Sequence, residues 1–187
     1  MIARAEATLA AGGEVWVADE TGLREFPPLR AAWSRVREQA VVTISGRNAR
    51  RVVHGALRAA TGELVRTVTA TSKTADVVGA VETLGAVRPW APKLLVWDNA
   101  PPHQPKRVRE AAALAGIELA FLPFRAPELM PLEDPWRGMK AEVAAYRCYP
   151  SVDELADRAL AALDAPTPEE RLRRAGLHSS KFDWLPT

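Results

Sequence analysis

Leu94-Leu95-Val96-Trp97 is a continuous apolar run that ends in Asp98, with helix-like stretches on both sides. A run that is apolar on both faces suits a strand buried in the middle of a sheet. Upstream, Val77, Val78, Val81 and Leu84 recur at helical spacing, with Thr74 as the expected cap. Downstream, Pro105 can open a helix to about Ala115, ended by Gly116, and Ile117 to Leu122 reads as the next strand. Strands separated by helices pair in parallel through crossovers.

The rest of the chain fits round this unit. Residues 3–11 read as a short Ala-rich helix ended by Gly12-Gly13, and Glu14 to Asp19 as a first strand. Ala40 to Ser45 and Arg51 to Arg58 read as two further strands joined at Gly46-Arg47-Asn48, and Glu63 to Ala70 as another. Helical patterns run from Pro131 to about Tyr146, from Ser151 to Asp164 and from Thr167 to Ala175. Early strands lie close enough in sequence to pair antiparallel. The expectation is one α/β domain: a mixed sheet with helices on both faces.

The 187 residues suit a single domain, and 48% hydrophobic residues are enough for a core. The one cysteine, Cys148, excludes an internal disulfide and any multi-cysteine zinc site. His54, His103 and His178 show no metal-ligand spacing, and neither a phosphate-binding glycine loop nor a G-x-S-x-G elbow occurs. No apolar run approaches a membrane span and no secretory segment is recognisable, so the cytoplasm is the expected compartment.

Charge is unevenly spread. Residues 30–66 hold eight arginines against Glu38 and Glu63, while residues 150–170 are acidic. Arginine without lysine suits bidentate phosphate contacts, which makes Arg47, Arg50 and Arg51 candidates for binding a polyanion. An ordinary solvated face reads the same way.

The acidic candidates are Asp19 after the first strand, Asp98 after the central strand and Glu133 opening the next helix. Singly, each has a structural explanation as a turn former or a complement to a helix dipole. Jointly they are sharper, because ligands of α/β sheets collect beyond the carboxyl ends of strands. Clustered carboxylates repel unless a divalent cation compensates, and hard oxygens suit Mg²⁺, with Mn²⁺ able to substitute. Two such ions can activate a water and stabilise a leaving oxygen at phosphorus.

From Glu14 to Trp184 the chain resembles the catalytic domain of DDE transposases of the mariner-like superfamily, in its bacterial insertion-sequence branch. The blocks that carry the resemblance are A-D-E-T-G at 18–22, P-P-L-R-A-A-W at 27–33, H-G-A-L at 54–57, W-D-N-A-P-P-H at 97–103 and L-P…P-E-L-M-P-L-E-D-P-W at 122–136. Between Asp98 and Glu133 lie 34 residues, the family spacing. The resemblance implies an RNase H-like fold, a five-stranded mixed sheet flanked by helices, with Asp19, Asp98 and Glu133 as the catalytic, metal-binding triad. Around it, Asn99 and His103 would orient water or phosphate, and Arg125, Arg137 and Lys140 would join Arg47, Arg50 and Arg51 on DNA. Phe124, Arg125, Ala126 and Met130 depart from the family loop, and Met130 cannot hydrogen-bond as the usual Asn does.

Residues 1–13 are expected to form a residual N-terminal helix and 14–187 the catalytic domain. The family's N-terminal helix-turn-helix modules are expected to be missing, unless a separately encoded half supplies them. The implied function is metal-dependent strand cleavage and strand transfer in DNA transposition, by a bacterial, nucleoid-associated protein acting on transposon ends and target DNA, as a homodimer and without a membrane. Two other readings are an RNase H-like nuclease in another context and a non-catalytic remnant that binds DNA or itself.

Overall fold

The computed structural model describes residues 1–26, 33–38, 41, 44, 46–124, 126–183 and 185. Helix α1 (Ile2–Ala10) turns at Gly12 and Gly13 into the long strand β1 (Glu14–Arg24). Strands β2 (Arg50–Arg58) and β3 (Leu64–Thr69) follow as a meander. Next come α2 (Thr74–Ala86), β4 (Lys93–Trp97), α3 (Lys106–Leu114) and β5 (Ile117–Phe121). Helices α4 (Glu133–Val143), α5 (Val152–Asp164) and α6 (Pro168–Arg174) follow, and single 3-10 turns lie at Pro101–His103, Pro127–Leu129 and Ser180–Phe182.

The strands form one mixed sheet in the order β3-β2-β1-β4-β5, the architecture expected from the sequence. The meander pairs antiparallel, whereas β1 with β4 and β4 with β5 pair parallel. Strand β4 sits inside the sheet and is buried along its whole length, which is why its sequence is apolar without alternation. Among the described residues no helix is long and apolar enough to cross a membrane.

Alternation along the strands assigns their faces. Val15, Val17, Val53, Leu57, Leu94 and Val96 pack in one cluster with Ala5 from α1 and with Trp136, Met139 and Leu155 from α4 and α5. Trp16, Ala18, Ala56, Leu95 and Trp97 pack with Val77, Val81, Val108 and Ala112 from α2 and α3. Each large apolar side chain taken fully from water contributes about 1.5–3 kcal/mol, so both faces must be covered.

Three local expectations change. Strand β1 continues to Arg24, so Asp19 lies within it rather than at its end. Beyond Val17 the strand has outrun its β4 partner and is held by β2 alone, which keeps Asp19 in regular strand geometry. Thr74 is the first helical residue of α2, and the Asp76 carboxylate accepts from the Lys73 backbone N–H at 3.0 Å. The strand expected over Ala40 to Ser45 lies largely outside the described residues, and neither Val41 nor Ile44 is in a strand.

The two charge blocks meet. Arg51 grips Asp153 on α5 through Nε and Nη2 at 2.7 and 3.0 Å, and Arg66 pairs with Asp164 at the other end of that helix. Exposed pairs of this kind contribute about 0–1 kcal/mol each, so they set the register of α5 on β2 and β3 more than they hold it.

Between β2 and β3, Gly62 has φ +73°, and a Cβ there would stand 2.0 Å from the Pro168 carbonyl oxygen at the start of α6. The residue must be glycine both for its backbone angle and for the close approach of α6. Gly62→Ala should therefore lower unfolding free energy by about 2–4 kcal/mol in urea titrations. Gly79→Ala in α2, where a Cβ meets nothing within 4 Å, should instead raise it by about 0.5–1 kcal/mol.

Candidate active site

The parallel ladder of β1 and β4 ends at the pair Val17 and Val96. Two residues further along each chain stand Asp19 and Asp98, level with each other and on the face that α4 covers. Glu133 is the first residue of α4. Asp19, Asp98 and Glu133 line one open cleft of about 290 Å³, together with Asn99, Pro123, Phe124 and Met130.

The two aspartates are held differently. Nδ1 of His103 lies 2.7 Å from Oδ1 of Asp98, and the Ala100 N–H donates to the same oxygen at 3.0 Å. His103 is fully buried, stacked on Trp97 with ring centroids 4.0 Å apart, and its Nε2 reaches Oε2 of Glu20 at 2.9 Å. Burial alone would discharge this imidazole, but Asp98 and Glu20 outweigh it and raise its pKa to about 9. The hydrogen bond from His103 in turn holds Asp98 below the usual carboxylate range.

Glu20 points to the opposite face of β1 from Asp19. Burial would raise its pKa, but His103 and His54, the latter 3.4 Å away, hold it at about 2. His54 also shares a 2.9 Å hydrogen bond with Thr69. Glu20 and His54 are direct β1–β2 partners, so the network follows from strand register.

Among the described residues Asp19 has no cation hydrogen-bonded to it. Nε1 of Trp136 donates to its Oδ2 at 3.0 Å. Burial, then Glu20, with Glu133 and Asp98 adding to them, pushes its pKa up to about 7. Lys140 is half-buried seven residues after Glu133, which puts it on the same face of α4. Burial pulls the Lys140 pKa down against the attraction of Glu133 and Asp19.

The supporting and DNA-facing candidates separate. Asn99 lines the cleft, donates to the Leu122 carbonyl and accepts from Gln104 at 3.0 Å, so it braces the loop after β5. His103 is fully buried, and its two ring nitrogens face Asp98 and Glu20. Met130 is buried core at the cleft wall. Arg47 pairs with buried Glu25 at 2.7 Å and Arg51 is held by Asp153, whereas Arg50 is exposed. Strand rise puts Arg51, paired with Leu23, about 13 Å along β1 from Asp19. Arg137 is exposed and pairs with Asp134. Arg125 lies outside the described residues.

The DDE superfamily endonuclease profile matches residues 14–156, which span both aspartates and Glu133. The chain belongs to the DDE superfamily endonucleases. Among solved structures, the Mos1 strand transfer complex superposes with a TM-score of 0.69 at 16% identity, over 98% of this chain and 58% of that one. The catalytic domain of Mos1 mariner transposase gives 0.62 at 15%, over 98% and 89%. The catalytic core of BIV integrase gives 0.53 at 20%, over 85% and 93%. These likenesses place the DDE family chain in the RNase H-like transposase and integrase fold. It spans a little over half the length of the Mos1 chain in the strand transfer complex. No curated protein matches it by sequence.

The donor set fits a hard divalent cation: carboxylate oxygens on one cleft, with a mutual repulsion that a cation would relieve. Among the described residues Oδ2 of Asp98 takes no hydrogen bond. No group of three acidic, histidine or cysteine side chains among them yet stands close enough to grip one ion; Glu133 is exposed at the mouth.

The raised pKa of Asp19 sets a pH dependence for the metal-free protein. Its stabilising share is full below the unfolded value of about 3.9 and is lost as pH rises through about 7. Asp19→Asn should therefore melt higher than wild type at pH 8, by about 2–4 °C for each kcal/mol relieved, and the gap should shrink towards pH 5. Equal gaps at both pH values would contradict the assignment.

Proposed function

We propose that this chain is a transposase catalytic domain that cleaves DNA strands and transfers them to target DNA. What supports the reading most is the cleft lined by Asp19, Asp98 and Glu133 in a chain of the DDE endonuclease family. Mos1 paired-end complexes with Mg and with Mn are among its structural neighbours, and we assign Mg²⁺, replaceable by Mn²⁺, to this cleft. Asp19, Asp98 and Glu133 would hold the ions, which when bound activate water and stabilise the leaving oxygen at phosphorus.

The chain's own groups prepare that chemistry. Charged His103 keeps Asp98 ionised and turned, and Trp136 holds one oxygen of Asp19. Lys140, beside Glu133 and Asp19, supplies a cation close to where a phosphate would lie, and Arg137 and Arg50 are exposed for backbone contacts. In the first step a water oxygen bonds to phosphorus and the P–O3′ bond breaks, freeing a 3′-hydroxyl at a transposon end. In the second, that hydroxyl attacks a target phosphodiester and displaces its 3′ oxygen. Transposon-end choice belongs to base contacts and not to these carboxylates, so a homodimer and a separately encoded helix-turn-helix half complete the proposal, acting in the cytoplasm on the nucleoid.

Purified chain with supercoiled plasmid and Mn²⁺ should give nicked circles with little sequence choice. Glu133→Gln should slow this by about 100-fold or more, the usual loss when one preorganised charge contact is removed. Wild type no faster than Glu133→Gln at any Mn²⁺ concentration would favour the non-catalytic remnant.

A further inference from the structure

Trp136 stands three residues after Glu133, one turn along α4 on the same side of the helix. Its ring lies across β2 at Gly55, where a Cβ would come within 2.6 Å of Cη2 and 2.9 Å of Cζ2. Gly55 is the residue of β2 directly opposite Asp19. A ring that crosses at Gly55 thus arrives beside Asp19, and its Nε1 donates to Oδ2 at 3.0 Å. The indole is 3% exposed, so this N–H has no water to turn to and the bond is kept.

We propose that Trp136 is a positioning residue that ties Asp19 to the helix carrying Glu133, so that the two carboxylates are placed as one unit. The inference rests on the reading of both as metal ligands. With α4 anchored to Asp19, Glu133 at its first residue is kept on the wall of the same cleft. The hydrogen bond fixes one oxygen of Asp19 and thereby the plane of the carboxylate along the cleft that it lines. Gly55 acts through Trp136: it leaves the space without which the ring would be pushed off Asp19. Outer groups that orient ligands in this way typically account for 10–100-fold in metal affinity.

The test uses the metal alone, without DNA. Mn²⁺ affinity is read from the electron paramagnetic resonance signal of free Mn²⁺, counted per folded molecule. Trp136→Phe keeps the aromatic packing and removes the N–H, and it should weaken Mn²⁺ binding about tenfold. Gly55→Ala keeps the N–H but displaces the ring, and should weaken binding in the same direction. A second measurement does not depend on either variant folding: the indole ¹H–¹⁵N resonance of Trp136 should move in Asp19→Asn. Unchanged Mn²⁺ affinity in Trp136→Phe, beside a wild type that binds, overturns this inference and leaves the proposed function standing. An indole resonance unmoved by Asp19→Asn overturns it as well. Failure of the wild type itself to bind Mn²⁺ overturns the proposed function, and the inference with it.

Discussion

Val17 and Val96 are the last partners in the parallel ladder of β1 and β4, and the chemistry of the cleft follows from where that ladder stops. Strand pairing fixes register to the residue, because a slip of one would turn every side chain to the other face. With Val15, Val17, Leu94 and Val96 buried under α1, α4 and α5, no such slip is available. Asp19 and Asp98 are carried to the same level on the same face. The apolar core therefore sets carboxylates side by side against their own repulsion.

That repulsion is met unevenly. Asp98 has a buried imidazolium against it, backed by Glu20, and stays ionised. Asp19 has the neutral indole of Trp136 and the Glu20 backbone against it, with Lys140 attracting it from α4 without a hydrogen bond among the described residues, and is pushed towards protonation. An arrangement that spent a second fixed cation on Asp19 would be more stable as a free protein and less receptive to a divalent ion. The asymmetry leaves an unmet demand for positive charge at Asp19, beside the exposed Glu133. Trp136 and Glu133 share a helix, so the element that buries one aspartate also brings the third carboxylate.

Much of this was legible in the chain. The apolar run before Asp98 gave away a central strand, and the blocks around Asp19, Asp98 and Glu133 carried the family that the profile match then showed. Period-two alternation already separates Asp19 from Glu20, yet the role of Glu20 could not be read, because it depends on pairing with His54 across β2 and on His103 reaching back from beyond β4. His103 looked like a loop residue since nothing in its neighbourhood reveals that it stacks on Trp97. The arginine block suggested a polyanion because its acidic partners lie about a hundred residues away: Arg51 meets Asp153 and Arg66 meets Asp164 only after folding. Gly55 was invisible for a similar reason, since its missing side chain matters only to a ring on α4.

The central claim is that the level pair Asp19 and Asp98, with Glu133 on α4, forms a divalent-cation site. Anomalous scattering from crystals of this chain soaked in Mn²⁺ tests it most directly. The account predicts a manganese peak between the carboxylates of Asp19 and Asp98, with Glu133 rotated towards it and Trp136 still on Asp19. Manganese bound elsewhere on the chain, with no peak between these two aspartates, would contradict it.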